Sequence, residues 1–316
     1  MDALKIIIPG LLSTVQDRGI RGYMASGFSQ CGAMDQDSMY IANLLVGNNE
    51  EAAVIEMTLL GISALACDDI TIAVTGGKAD VFINGEKAEE YRALKLNKGD
   101  SLPDGPISEG CRAYLSIRGG VAVREEMGSR STFIKIGIGG FHGRPLKSGD
   151  ILPTEKTAEI KNLGRRRLSS TFLKNTGNVI LRAVPGPQDD MFSKEEVDNF
   201  FSREYTVTPA SDRMGIRLSG KEAIKPLKTS DIISDGIALG SVQVPKSGQP
   251  IILCADRQTT GGYAKIATVI SSDMPLCAQL TPGEKLRFEK ISVEDAQKIL
   301  RKKRRRFAKL KKQLNK

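Results

Sequence analysis

Short apolar runs of four to six residues recur along the chain, separated by Gly, Pro, Asn or Asp. Lys5–Ile8, Ile70–Val74, Asp80–Ile83, Arg112–Ile117, Val179–Val184, Ile251–Ala255, Lys265–Ile270 and Lys285–Phe288 are rich in Ile and Val and predict strands. Asn84-Gly85, directly after Val81–Ile83, is a hairpin-turn signal. Helical spacing is confined to a few places. Gln36 to Val46 carries Met39, Leu44 and Leu45, with Ile41 and Ala42 between them. Ser193 opens an S-x-x-E capping box with Glu196, followed by Val197, Phe200 and Phe201 on one face. A third helix is expected from about Ser292 into a basic tail. The form L-x-x-G-[DE]-x-L occurs three times, from Leu96, Leu146 and Leu280. It predicts a turn whose glycine takes a positive φ between two inward-facing leucines. Because these corners occur in both halves, a barrel-like β architecture of related units is expected. The polar stretch Pro153–Asn178, with Arg165-Arg166-Arg167, reads as the boundary. The expected organisation is a β domain over 1–155, a linker over 156–177, a second β domain over 178–290, and a C-terminal helix and tail over 291–316.

Charge alters this picture in one place. Of 46 Lys and Arg, ten fall in the last 16 residues, where there is no acid. Removing those ten leaves 36 basic groups against 37 acids, so the body is neutral and the formal charge of +9 belongs to the tail. A neutral body argues against a large nucleic-acid-binding face. The tail reads as a solvated, fraying helix. Contact of its basic amphipathic face with RNA, an anionic membrane surface or an acidic partner is the alternative. No apolar run reaches the roughly 20 residues of a membrane span. Residues 6–10 are too short for a signal-peptide core, so a cytoplasmic protein is expected. The five cysteines are scattered and never spaced as CxxC, which fits reduced, mostly buried thiols.

There is one histidine, His142, and no tryptophan. A multi-histidine metal site is thereby excluded, and no metal site is expected. P-loop, GxGxxG and GxSxG patterns are absent. Carboxylates, Arg, Gln, Tyr and backbone amides must therefore carry any chemistry. His142 reads as a loop residue. Four polar, glycine-rich segments stand out: Ser13–Gly19 continuing to Tyr23, Gly128–Thr132 with Gly139–Arg144 beyond it, Ser211–Leu218, and Asp256–Tyr263. Glycine lets backbone N–H groups approach a ligand, and arginine offers a fork for carboxylate or phosphate.

Ser13–Gly19, Met34-Asp35 with Ala42–Asn48, Gly128–Thr132, Gly186-Pro187-Gln188, Ser211–Leu218, Gln243-Val244-Pro245 and Asp256–Tyr263 resemble, in order, the family of 5-oxoprolinase C subunits (KipA-like, also called urea amidolyase-related or allophanate hydrolase subunit 2). The same module resembles the carboxyltransferase portion of biotin-dependent urea carboxylases. The resemblance spans about residues 5–290 and excludes the basic tail. It implies a mainly β fold of two tandem cyclophilin-like β-barrel domains, with a few short helices and the C-terminal basic helix added. It implies a hetero-oligomeric hydrolase whose other components are the KipI-like B subunit and the A subunit of 5-oxoprolinase. That enzyme opens 5-oxo-L-proline to L-glutamate with ATP hydrolysis, and ATP with magnesium binds together with the KipI-like partner.

On this reading Asp17, Arg18, Arg213, Asp256 and Gln258 are catalytic candidates. Arg130, Gln243, Thr260, Gly261, Gly262 and Tyr263 are candidates for substrate binding. Arg18, Arg213 and Arg257 would stabilise phosphate or carboxylate. Gln258, Thr260 and Tyr263 would orient the lactam. Asp17 and Asp256 would act as base or magnesium ligand, or hold the arginines. Two alternatives stay open. One is a biotin-dependent carboxyltransferase component, although the chain lacks the Ala-Met-Lys-Met attachment sequence and would need biotin on another protein. The other is a non-enzymatic KipA-like antagonist of a kinase inhibitor.

Overall fold

The computed structural model describes residues 1–103, 105–158, 162–169 and 179–314. The fold is mainly β, with four α-helices among the described residues: α1 (Gln36–Leu45), α2 (Lys194–Ser202), α3 (Met274–Ala278) and α4 (Val293–Leu314). The chain divides into two compact units. The first comprises Met1–Arg21, Cys31–Lys174 and Lys309–Lys316; the second comprises Gly22–Gln30 and Asn175–Ala308.

In the first unit, one sheet of four strands runs in the order Ile151–Pro153, Asp2–Ile8, Ser63–Ala66, Ser101–Leu102. A second sheet of five runs Leu12–Gln16, Val54–Thr58, Ile107–Ile117, Ile70–Ala79, Leu94–Leu96. Both contribute to one core that includes Leu4, Ile6, Ile55, Ile72, Leu96, Leu115 and Leu152. The helix α1 starts where Asp35 accepts the Ser38 N–H at 2.9 Å, an N-cap that satisfies an orphan donor. Asn84 and Gly85 both take positive φ, as the turn between Val81–Ile83 and Glu86–Ala88 requires. The segment expected as a linker lies partly outside the described residues, at 159–161 and 170–177. Its described part is anchored in the first unit. Arg166 is buried and donates to the carbonyls of Leu44 (2.7 Å), Leu45 (2.8 Å) and Leu314 (2.5 Å).

The second unit is a closed barrel of seven strands. Their order is Val179–Pro185, Lys265–Val269, Ser241–Gln243, Ile251–Leu253, Gly215–Gly220, Glu204–Val207, Lys285–Lys290. The parallel pairing of the first strand with the last closes it. Phe200 from α2 stacks on Phe288 at 4.6 Å and meets Tyr205 at 5.8 Å, sealing the α2 side of the core. The capping box at Ser193 is half formed. Ser193 accepts the Glu196 N–H, while Glu196 turns to Arg203 at 2.8 Å instead of back to the cap. A separate ribbon pairs Asp231–Gly236 with Thr260–Tyr263.

The three L-x-x-G-[DE]-x-L corners share one construction. Gly99, Gly149 and Gly283 have φ of 91°, 89° and 90°. Asp100, Asp150 and Glu284 each accept the N–H three residues back, from Asn97, Lys147 and Thr281. The flanking leucines are all buried.

The tail departs from the solvated helix expected of it. In the first unit Leu310 is buried and Lys311 pairs with Glu50 at 2.5 Å. Arg166 holds the Leu314 carbonyl. No helix among the described residues is long and apolar enough to cross a membrane. The five cysteines are free thiols, four of them buried.

Candidate functional site

In the first unit, Leu12–Gln16 pairs with Val54–Thr58 and delivers Asp17 at its end. The Asp17 carboxylate is saturated by local donors. Its Oδ1 accepts the Gly19 N–H (2.8 Å) and the Ser129 and Ser131 hydroxyls (both 2.6 Å); Oδ2 accepts the Arg130 N–H (2.5 Å). Four donors on a buried carboxylate lock the 17–21 turn onto Gly128–Thr132. Gln16 adds a bond to the Thr132 carbonyl. Asp17 therefore holds the main chain around Arg130 rather than any arginine side chain. The side chains of Arg18 and Arg130 face a cavity of about 580 Å³ that Arg21 and Arg118 also line. Arg18 pairs there with Glu51, and Arg130 with Glu155 at 3.4 Å. His142 is an exposed loop residue packed edge-on against Phe141.

In the second unit, the register Gly215↔Leu253 brings Arg213 and Asp256 together at adjacent strand ends. They form a buried fork, Nε to Oδ2 and Nη2 to Oδ1, both 2.9 Å. Arg257 is buried and donates to the carbonyls of Ile237 and Cys254. So the arginines of this segment are built into the turn. Beyond them, Gln258 is half-buried, and Thr260 and Tyr263 lie exposed on the ribbon. Gln243 is buried with its amide toward the Tyr263 carbonyl. Gly261 has a specific reason to be glycine. A Cβ there would stand 2.7 Å from Ile237 Cδ1 and 2.8 Å from Gln243 Nε2, with Gln258 Nε2 at 3.4 Å. Its bare Cα thus lets two carboxamides converge beside an exposed strand. Gly262 makes no such close approach: the nearest atom to a Cβ there is the Ile232 carbonyl oxygen at 3.4 Å.

One residue of this cluster escaped the sequence reading. Lys265 is buried, and its ammonium donates to Asp235 Oδ2 (2.7 Å) and to the Gly236 carbonyl (3.2 Å). Gln188 spans both partners, accepting the Lys265 N–H and donating to Asp235. The hydrogen bond from Lys265, followed by that from the Gly236 N–H, holds the Asp235 carboxyl below the ordinary aspartate range. The available signals were a lysine opening an apolar strand and the Gly186-Pro187-Gln188 motif. The described residues contain no group of three or more His, Cys, Asp or Glu placed to hold a metal ion.

Residues 26–290 match the family model for the carboxyltransferase domain, subdomain A and B. The chain belongs to that carboxyltransferase-domain family. Within it, the chain is 38% identical over 309 residues to the 5-oxoprolinase C subunit of Escherichia coli, covering 97% of each. It is 36% identical to the Haemophilus influenzae protein of the same name, covering 92% of each. The urea amidolyase of Saccharomyces cerevisiae is 30% identical across 94% of this chain, which spans only 17% of that protein. The crystal structure of the K. lactis urea amidolyase superposes with a TM-score of 0.88 at 30% identity, over 96% of this chain and 20% of that one. The family resemblance carried by seven ordered motifs is borne out. At full length this member of the family matches the 5-oxoprolinase C subunit, and it matches urea amidolyase only as one segment.

Proposed function

We propose that this chain is the C subunit of an ATP-dependent 5-oxoprolinase, acting with the A and B subunits to open 5-oxo-L-proline to L-glutamate. The observation that carries the reading is the full-length match to the 5-oxoprolinase C subunit at 38% identity. The reading also takes both units as cyclophilin-like barrels over 1–155 and 178–290. The closed barrel of the second unit and the corners shared by both support it. It takes the complex to be cytoplasmic.

A lactam is an unreactive amide. Transfer of the γ-phosphoryl group of ATP to the lactam oxygen turns that oxygen into a leaving group and makes C5 electrophilic. Water then adds at C5 and the C–N bond breaks with the ring nitrogen leaving as the amine, which gives an acyl phosphate; a second water releases phosphate and leaves the side-chain carboxylate of L-glutamate. What a protein must supply is orientation and charge stabilisation. In our assignment the Gln243 and Gln258 carboxamides, converging at Gly261, orient the lactam, with Thr260, Gly262 and Tyr263 framing it. The Lys265 ammonium, held by Asp235, supplies positive charge to the substrate carboxylate or the departing phosphate. Arg213 and Asp256 are positioning residues for the turn that carries Gln258. Asp17 positions the loop that presents Arg18 and Arg130. ATP, with magnesium, is bound together with the KipI-like B subunit.

The test is ADP release coupled to 5-oxoproline with the A and B subunits, with and without this chain. No dependence on it would reject the proposal. The likeness to urea amidolyase favours a biotin-dependent carboxyl transfer as the second reading. A carboxylated-biotin donor, in place of ATP and 5-oxoproline, would discriminate.

A further inference from the structure

The cavity of about 580 Å³ in the first unit has a role that the lactam chemistry does not assign. Four guanidinium groups and four carboxylates, those of Asp17, Glu51, Glu125 and Glu155, line it, and the guanidinium groups differ in how their charge is met. Arg18 and Arg130 are paired with Glu51 and Glu155. Arg118 donates to main-chain carbonyls, among them Val46 at 2.8 Å and Ala158 at 2.5 Å, and makes no ion pair among the described residues. Arg21 has no hydrogen-bond or ion-pair partner among the described residues. Desolvation first and repulsion by Arg18 second lower its pKa, against an opposing attraction to Asp17. Holding two cations together is unfavourable in the absence of an anion, and an anion between them reverses the sign of that term. The oxygens of Asp17, the acid that attracts Arg21, are taken by four other donors, so it offers Arg21 no hydrogen-bonded fork. The volume lies in the range of pockets that enclose small organic ligands, well beyond a lone chloride.

We propose that this cavity is a binding site for a phosphate-bearing ligand, with Arg21 and Arg118 as the groups that grip the phosphate. Guanidinium forks suit phosphate oxygens in both geometry and charge. The phosphate class rests on this geometry. Only the choice of a nucleotide as its bearer rests on the ATP-dependent reading above.

The test titrates the full chain with inorganic phosphate, ADP and ATP by calorimetry, using wild type, Arg21→Gln and Arg118→Gln. Arg21 makes no bond that folding depends on, so Arg21→Gln is the decisive variant. Arg118→Gln is accepted only with an unchanged far-UV spectrum. Binding of at least one ligand, weakened tenfold or more by Arg21→Gln and by added salt, is expected. Preference for ADP or ATP over phosphate names a nucleotide as the bearer; equal binding names the free anion. No binding of any of the three, or binding by Arg21→Gln equal to wild type, overturns the site. Oxoprolinase turnover measured in parallel separates the two ideas, since turnover can fail while phosphate binding persists, and the reverse.

Discussion

A lysine ammonium taken out of water costs several kcal/mol unless an anion and acceptors receive it. Lys265 has both in Asp235 and the Gly236 carbonyl, yet Asp235 itself is half exposed. The ammonium is thus buried while the carboxylate that holds it reaches the surface. Lys265→Met is expected to reduce kcat/KM for 5-oxoproline on the order of 100-fold, the scale of one lost charge-stabilising group. Lys265→Arg should recover part of it, an outcome that a purely structural lysine would not give. The pair also fixes a pH behaviour. Asp235 titrates below the ordinary aspartate value, so its contribution is complete above the unfolded pKa of about 3.9 and is lost as pH falls through the lower folded value. A kcat/KM profile that is flat through pH 5–6 in wild type but depressed throughout in Asp235→Asn is expected. Arg213 differs, because its fork with Asp256 is buried on both sides. Arg213→Ala strands a carboxylate and should cost about 3–5 kcal/mol in urea unfolding, with little recovery by Lys, which lacks the fork. Arg213 and Asp256 were legible because each sits in a polar, glycine-rich run. Lys265 was not, since a strand pattern gives no sign that its first residue points inward with a charge.

At the scale of elements, what the chain announces is local chemistry. The three leucine-flanked corners were readable because a positive φ, an acid three residues after a turn donor and two inward leucines leave a fixed spacing. A Cβ at Gly99, Gly149 or Gly283 would meet nothing within 4 Å, so the cost of alanine there is backbone conformation alone. Each Gly→Ala variant should lose about 1–2 kcal/mol of stability with kcat/KM intact. A loss near zero would mean that the corner relaxes to negative φ. Strands with polar residues facing inward gave no such sign. Leu12–Gln16 buries Ser13, Thr14 and Gln16, and Val54–Thr58 buries Glu56, which accepts the Tyr114 hydroxyl and the Met34 N–H. Their alternation is broken by groups such as Gln16 and Glu56 that bond partners far along the chain, and distance along the chain is what pattern reading lacks. The same limit hid the convergence of Gln243 and Gln258 at Gly261, which depends on three separate strands or turns meeting.

For the whole molecule, the charge of +9 resolves into a tail whose apolar side is already in use. Phe307, Leu310 and Leu314 recur at helical spacing, and of these Leu310 is buried in the first unit. An amphipathic helix enters a membrane interface by burying its apolar face there. A face whose central leucine is committed to protein is not free to do so, and the cationic side contributes electrostatic contact alone. Two consequences separate this from the fraying helix that composition suggests. Leu310→Ala should lower unfolding stability by about 2 kcal/mol or more, the cost of emptying a buried leucine site, whereas a frayed helix would register nothing. Truncation to residues 1–300 should lower Tm as well, because it removes Leu310, the Lys311–Glu50 pair and the carbonyl that Arg166 holds. If full-length protein binds anionic vesicles, that binding should vanish with salt over the Debye range and leave the helix signal unchanged. Equal urea midpoints for the full chain, Leu310→Ala and 1–300 would return the tail to an appendage. Unequal ones make its last residues, from Lys309, part of the first unit's fold.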